Sequence, residues 1–126
     1  MISTDSYYEQ ATQRNLGIVS PSEQQRLRAS KVAIVGMGGA GGIYLTTLVR
    51  MGVGHFHIAD FDTFSVANTN RQAGAMHSTM GRPKAQVMAE IARDILPGVE
   101  VTEFGEGIGA HNVEEFLRGA DVVLDA

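Results

Sequence analysis

An α/β fold built on a parallel, doubly wound sheet is what this sequence predicts, on three observations. Four short apolar runs, at 31–35, 55–60, 99–104 and 121–125, have the look of strands. The stretches between them are too long for hairpins and carry helical patterns. A glycine-rich turn, Gly36 to Gly42, stands where the first run gives way to the first helix. Helical crossovers between parallel strands satisfy all three, and such crossovers are right-handed.

Each element has its local reason. Residues 1–19 are polar with two tyrosines and read as an arm or short helix. Ser20 and Glu23 have capping-box spacing, and Pro21 sits where a first-turn proline is tolerated, so a helix runs to Arg28. Lys31-Val32-Ala33-Ile34-Val35 is a continuous apolar run of the kind buried on both faces of a sheet. After the glycines, Ile43, Leu45, Leu48, Val49 and Met51 recur at helical spacing until Gly52-Val53-Gly54 breaks the pattern. His55 to Asp60 is the second strand. Residues 61–81 form a loop too long to be a mere connection, which marks it as functional. Pro83 opens a helix whose face is Val87, Met88, Ile91, Ile95 and Leu96, and Pro97-Gly98 stops it. Val99 to Phe104 alternates as a third strand, Asn112 to Arg118 is a short helix, and Asp121 to Asp125 is the fourth strand.

The order β-α-β-α-β-α-β gives an expected strand order of 3-2-1-4. Strands one and four then flank the switch point, which brings the glycine turn and Asp125 together. The fourth strand would be an apolar, uncovered edge, so the chain is expected to belong to a longer product. The expected organisation is an N-terminal arm and helix over 1–30 and a nucleotide-binding, Rossmann-like domain over 31–126.

Composition narrows the function. The chain has 126 residues, 44% hydrophobic and 19% charged, which is one domain and not a disordered tail. No apolar run approaches the roughly 18 residues of a membrane span. There is no cysteine, hence no disulfide, thiolate metal site or cysteine nucleophile. Net charge is −4, with seven acids against one base from Val99 onward, which disfavours a nucleic-acid binder. The start of the chain lacks a basic, apolar leader, so a cytoplasmic location is expected. His55 and His57 share a strand face, but too few ligands accompany them, and no metal-ligating residue is assigned.

Chemistry concentrates at the glycine turn. In Gly36-x-Gly38-x-x-Gly41, Gly36 permits the turn, Gly38 lets a phosphate approach, and Gly41 lets the helix pack close. Asp60, ending the second strand, is placed to accept ribose hydroxyls, with Asp62 as a weaker candidate that could equally cap the loop. These features fit a nicotinamide- or flavin-dependent oxidoreductase as well as any other nucleotide enzyme. No Walker P-loop pattern occurs. The loop segments Asn68-Thr69-Asn70-Arg71-Gln72 and Gly81-Arg82-Pro83-Lys84 add Arg71 and Lys84, cations suited to a triphosphate losing pyrophosphate. On position alone, both would read as solvated surface charges.

From Val32 to Asp125 these motifs, with Asp60-Phe61-Asp62 and Val122-Val123-Leu124-Asp125, closely resemble the ThiF/MoeB/HesA-type adenylyltransferases, which share their nucleotide-binding domain with ubiquitin-activating enzymes. The resemblance implies that ATP binds with Mg2+ and that a carboxylate attacks the α-phosphate, giving an acyl-adenylate and pyrophosphate. It implies that Gly39 and its neighbours cradle the α-phosphate and Asp60 holds the ribose. Asn68, Arg71 and Lys84 meet the phosphates, Gln72 supports the loop, and Asn70 and Asp125 complete the matching set. Gln13-Arg14-Asn15 resembles the family's arginine-bearing arm, whose arginine reaches the γ-phosphate, commonly from the partner of a homodimer. The implied partner is a ubiquitin-like or sulfur-carrier protein ending in glycine; small carboxylates and a tRNA-linked threonylcarbamoyl group are also family substrates. Two departures matter: Val66-Ala67-Asn68-Thr69 lacks the usual serine and leucine, and the family's magnesium-binding aspartate falls about three residues beyond Asp125. A non-catalytic interaction domain that keeps the fold is the remaining alternative.

Overall fold

A computed structural model describes all residues, 1–126. Its elements in chain order are helix α1 (Thr4–Thr12), α2 (Pro21–Ala29), strand β1 (Lys31–Val35), α3 (Gly39–Arg50), β2 (His55–Ala59), α4 (Lys84–Ile95), β3 (Glu100–Phe104), α5 (Val113–Leu117) and β4 (Val122–Asp125). The four strands form one parallel sheet in the order β3-β2-β1-β4, as the sequence predicts. Three boundaries differ. The arm begins as a regular helix, α1, capped by Ser3. Helix α3 starts inside the glycine run, at Gly39 rather than near Ile43, because packing on the sheet overrides the weak helix propensity of glycine. The loop after β2 is not featureless: it carries two short 3-10 turns, Val66–Asn70 and His77–Thr79.

The core follows the strand alternation. Val32, Ile34, Phe56 and Ile58 point to one face and meet Leu45, Val49, Val87, Met88 and Ala92 from α3 and α4. The other face is thinner. Ala33, Ala59 and Phe104 meet Phe116 of α5 there, with Phe104 and Phe116 edge to face at 5.1 Å between centroids. His57 accompanies them and uses Nδ1 on the Phe116 carbonyl at 2.8 Å, while His55 Nδ1 lies 3.0 Å from Glu100 on β3. His57 thus ties β2 to α5, and His55 ties it to β3.

Two glycines shape the crevice at the carboxyl ends of β1 and β4. Gly36 has φ +95, and a Cβ there would press on the Ala126 carbonyl at 2.9 Å. A Cβ on Gly41 would overlap the Gly36 carbonyl oxygen, so only glycine lets α3 seat this close to the end of β1. Ala126 N–H donates to the Val35 carbonyl at 2.9 Å, and Val35 is in register with Asp125, which brings the end of β4 against the glycine turn.

The arm packs at the far end of α3. Tyr8 is buried; its hydroxyl donates to the Gly52 carbonyl at 2.6 Å, and the Arg28 guanidinium lies 4.3 Å from its ring centroid. Burial pushes the Tyr8 phenol above its ordinary 10.0, against smaller downward pulls from Gln24 and Arg28.

Gly41→Ala should destabilise the protein by about 2 kcal/mol or more, since rigid backbone and not a flexible side chain blocks the new methyl; urea unfolding reads this directly. Because the Tyr8 pKa is raised on folding, its contribution is intact below its unfolded value and is lost as pH rises through the folded one. Tyr8→Phe should cost about 1 kcal/mol at neutral pH and lose less further stability than wild type as pH rises above the phenol's ordinary 10.0. Urea midpoints across that range measure both effects.

Candidate nucleotide-binding site

The carboxyl ends of β1, β2 and β4 open onto the start of α3, a twelve-residue helix. Its N-cap is Gly38, with no side-chain cap, and the N–H groups of Gly39, Ala40 and Gly41 have no acceptor within the chain. Free donors and the positive end of the helix dipole thus converge on one spot, the arrangement that binds anions. Cβ atoms on Gly38 or Gly39 would meet only Gln72 at 3.6 Å and the Arg71 carbonyl at 3.4 Å. Protein packing alone does not demand glycine at those two positions.

Asp60 closes one side. Its Oδ2 accepts the Met37 N–H at 2.7 Å and its Oδ1 accepts the Asp62 N–H at 2.8 Å. The carboxylate therefore fixes the glycine turn and still has one lone pair on each oxygen. Asp62 is exposed, and its carbonyl accepts the Lys84 N–H at 3.0 Å. Asp125 is exposed at the end of β4.

The loop from β2 to α4 is clamped at its base. Phe64 N–H donates to the Arg82 carbonyl at 3.0 Å, and Gly81 N–H donates to that of Phe64 at 2.8 Å. Within the loop, Asn68 Oδ1 accepts the Ser65 N–H at 2.9 Å, which leaves its amide NH2 free to donate. Arg71 Nη1 donates to Asn70 Oδ1 at 2.9 Å and to the Ala67 carbonyl at 3.2 Å. Its Cγ lies 3.6 Å from the Cβ position of Gly39, so its stem runs beside the α3 N-terminus while its guanidinium is held by the loop. Gln72 is buried, reaches Gly38, and keeps Oε1 without a hydrogen-bond partner.

Lys84 is the least expected member. It begins α4, is only 7% exposed, and has neither an ion pair nor a side-chain hydrogen bond. Its ammonium stands 5.8 Å from the Phe64 ring centroid. One turn on, Met88 Cε lies 3.5 Å from the Cβ position of Gly42, which puts this face of α4 over the first turns of α3. The side chain is mostly covered, and its ammonium is left without a protein partner.

The structure thus gathers Gly36, Gly38, Gly39, Gly41, Asp60, Asp62, Arg71, Gln72, Lys84 and Asp125 around one crevice, with Asn68 and Asn70 in the loop beside it. It does not bring Arg14 there. Arg14 is exposed in the 3-10 turn Gln13–Asn15, which is tied to Met51 at the opposite end of α3. Twelve helical residues span about 18 Å, beyond the reach of one arginine side chain. Phe64, the shelf under Lys84, carries no distinguishing signal in the sequence, since Phe61 and Val66 stand close by in the same loop and both are exposed. No group of three or more His, Cys, Asp or Glu residues comes together to hold a metal ion.

A sequence profile of the ThiF family matches residues 11–126. The chain is 36% identical over 110 residues to the tRNA threonylcarbamoyladenosine dehydratase of Haemophilus influenzae, covering 86% of this chain and 42% of that protein. It is 34% identical over 122 residues to the sulfur carrier protein adenylyltransferase of Thermus thermophilus, covering 97% and 44%. The solved E. coli tRNA N6-threonylcarbamoyladenosine dehydratase in complex with ATP superposes with a TM-score of 0.92 at 30% identity, covering 99% of this chain and 52% of that one. The same enzyme is also solved with AMP. The chain spans less than half the length of these curated relatives. No helix is long and apolar enough to cross a membrane.

Asp60→Asn should lower stability by about 1–2 kcal/mol even without any ligand, because an amide supplies one acceptor oxygen where two N–H groups are now bound. Chemical denaturation of the ligand-free protein measures it, and an unchanged midpoint would mean the carboxylate does not hold the turn.

Proposed function

The chain belongs to the ThiF family, and from that premise we propose that it is the nucleotide-binding part of an enzyme that adenylates a carboxylate with ATP. ATP supplies an α-phosphorus that a carboxylate oxygen attacks, while the bond to pyrophosphate breaks. The observation that carries this proposal is Lys84: a largely covered lysine without an ion pair, near an uncapped helix N-terminus, suits a polyanion.

The chain's residues take the following parts. The N–H groups from Gly39 to Gly41 donate to phosphate oxygens, and Gly36 and Gly38 keep the approach open. Asp60, already bound to two amides, uses its two remaining lone pairs on the ribose hydroxyls. Arg71, steadied by Asn70, and Lys84 neutralise the charge that develops on departing pyrophosphate, and the free amide of Asn68 adds a donor. Gln72, with an unpartnered buried oxygen, supports the loop under the nucleotide. Asp62 and Asp125 border the crevice. Arg14, too far from its own glycine turn, reaches the γ-phosphate of ATP on a second copy in a homodimer. Magnesium accompanies the nucleotide, and no step is assigned to it through residues 1–126.

The proposed acyl donor is the C-terminal glycine of a ubiquitin-like or sulfur-carrier protein, in line with the carrier adenylyltransferase among the relatives. A threonylcarbamoyl carboxylate on tRNA is the second candidate, favoured by the superposition on the tRNA dehydratase. Pyrophosphate exchange with each substrate distinguishes them. A thermal-shift comparison of ATP–magnesium with NAD tests the nucleotide itself: ATP should raise the melting temperature, and a rise with NAD alone would favour the oxidoreductase alternative.

Lys84→Met removes the charge and keeps the apolar stem. It should leave stability equal or improved, weaken ATP binding by about tenfold or more, and abolish adenylation. Calorimetric titration with ATP and a melting curve measure the two effects, and unchanged ATP affinity would remove Lys84 from the site.

A further inference from the structure

Arg14 sits next to Asn15, which bonds both along the arm and across to α3. The Asn15 carbonyl accepts the N–H groups of Ile18 and Val19, each at 3.0 Å, which closes the turn between α1 and α2. The Asn15 side-chain Nδ2 donates to Gln24 Oε1 at 3.1 Å and to the Met51 carbonyl at 3.2 Å. Gln24 Nε2 in turn donates to the Met51 carbonyl and to Tyr8 Oη, both at 3.0 Å. Tyr8, Thr12 and Gln24 close so tightly on Gly52, at φ +94, that a Cβ there would strike all three. Asn15 therefore holds its own turn shut and fastens that turn to the end of α3.

Arg14 contrasts with this. It is exposed and has no hydrogen bond or ion pair. Apolar side chains would cover the end of α3 without the cost of desolvating amides. A fully satisfied polar network adds something else, one fixed orientation for the segment it carries. We infer that Asn15 is a positioning residue for Arg14: it fixes the backbone from which the guanidinium meets the polyphosphate of a second copy, so that less chain entropy is lost on binding. This rests on the role proposed above for Arg14, and no contact between Asn15 and nucleotide is involved.

The test compares ATP with AMP, which lacks the γ-phosphate. Calorimetric affinities for both nucleotides, with melting temperatures, are measured on wild type and on Arg14→Ala, Asn15→Ala, Asn15→Asp and Tyr8→Phe. Arg14→Ala should weaken ATP about tenfold and leave AMP within about twofold. Asn15→Ala should show the same selective loss, about three- to tenfold on ATP. Tyr8→Phe breaks a neighbouring bond of the network but spares both Asn15 donors, so it should lower the melting temperature and keep the wild-type ATP-to-AMP ratio. If Asn15→Ala does not fold, Asn15→Asp, equal in size but without the two donors, is read the same way. A wild-type ratio in the Asn15 variants, with Arg14→Ala shifted, overturns the inference and leaves the role of Arg14 standing. A wild-type ratio in Arg14→Ala overturns both.

Discussion

The long loop folds back on itself and sets Lys84, only 7% exposed and without an ion pair, at the start of α4, and the crevice is organised around that placement. Lys84 is held at the start of α4 by main-chain bonds, not by attraction to any carboxylate. Its N–H is bound by the Asp62 carbonyl, and the strands of chain before and after the long loop are stitched together at Phe64 and Arg82. The ring of Phe64 lies beneath the ammonium. Backbone geometry thus sets where this cation stands. A cation held near an uncapped helix N-terminus suits an anionic ligand.

The rest of the crevice follows from sheet topology. With β1 between β2 and β4, the carboxyl ends of three strands meet the start of α3. Gly41 allows the helix to approach until its Cα lies against the Gly36 carbonyl, and Asp60 bonds across from β2 to Met37. The same carboxylate that secures the turn is then available to a ligand bound on it. The loop contributes from the other side, where Arg71 lies beside Gly39 and Gln72 reaches Gly38. The atoms that hold the turn together are the same few that face the crevice.

Much of this was legible in the sequence, for physical reasons that also explain what was not. The strands show as β-branched apolar runs, and crossover lengths leave parallel pairing as the workable solution, so the order β3-β2-β1-β4 could be written down. The glycine turn and Asp60 have a spacing set by backbone geometry. The start of α3 was placed late because glycine masks a helix that tertiary packing enforces. Residues 1–19 read only as an arm or short helix because Tyr8 and Thr12 are the sole buried residues of α1, too few to make a periodic face. The burial of Lys84 could not be read at all: lysine is ordinarily solvated, and only a loop folding back through Phe64 covers it. The distance of Arg14 from its own glycine turn is likewise a property of how the arm docks on α3, which the order of residues along the chain does not encode.

The structure of the protein with a non-hydrolysable ATP analogue bound would decide the central claim most directly. Phosphate oxygens should lie within hydrogen-bonding distance of the Lys84 ammonium and of the N–H groups that open α3. An analogue seated elsewhere, with Lys84 paired to a carboxylate of the protein itself, would contradict it.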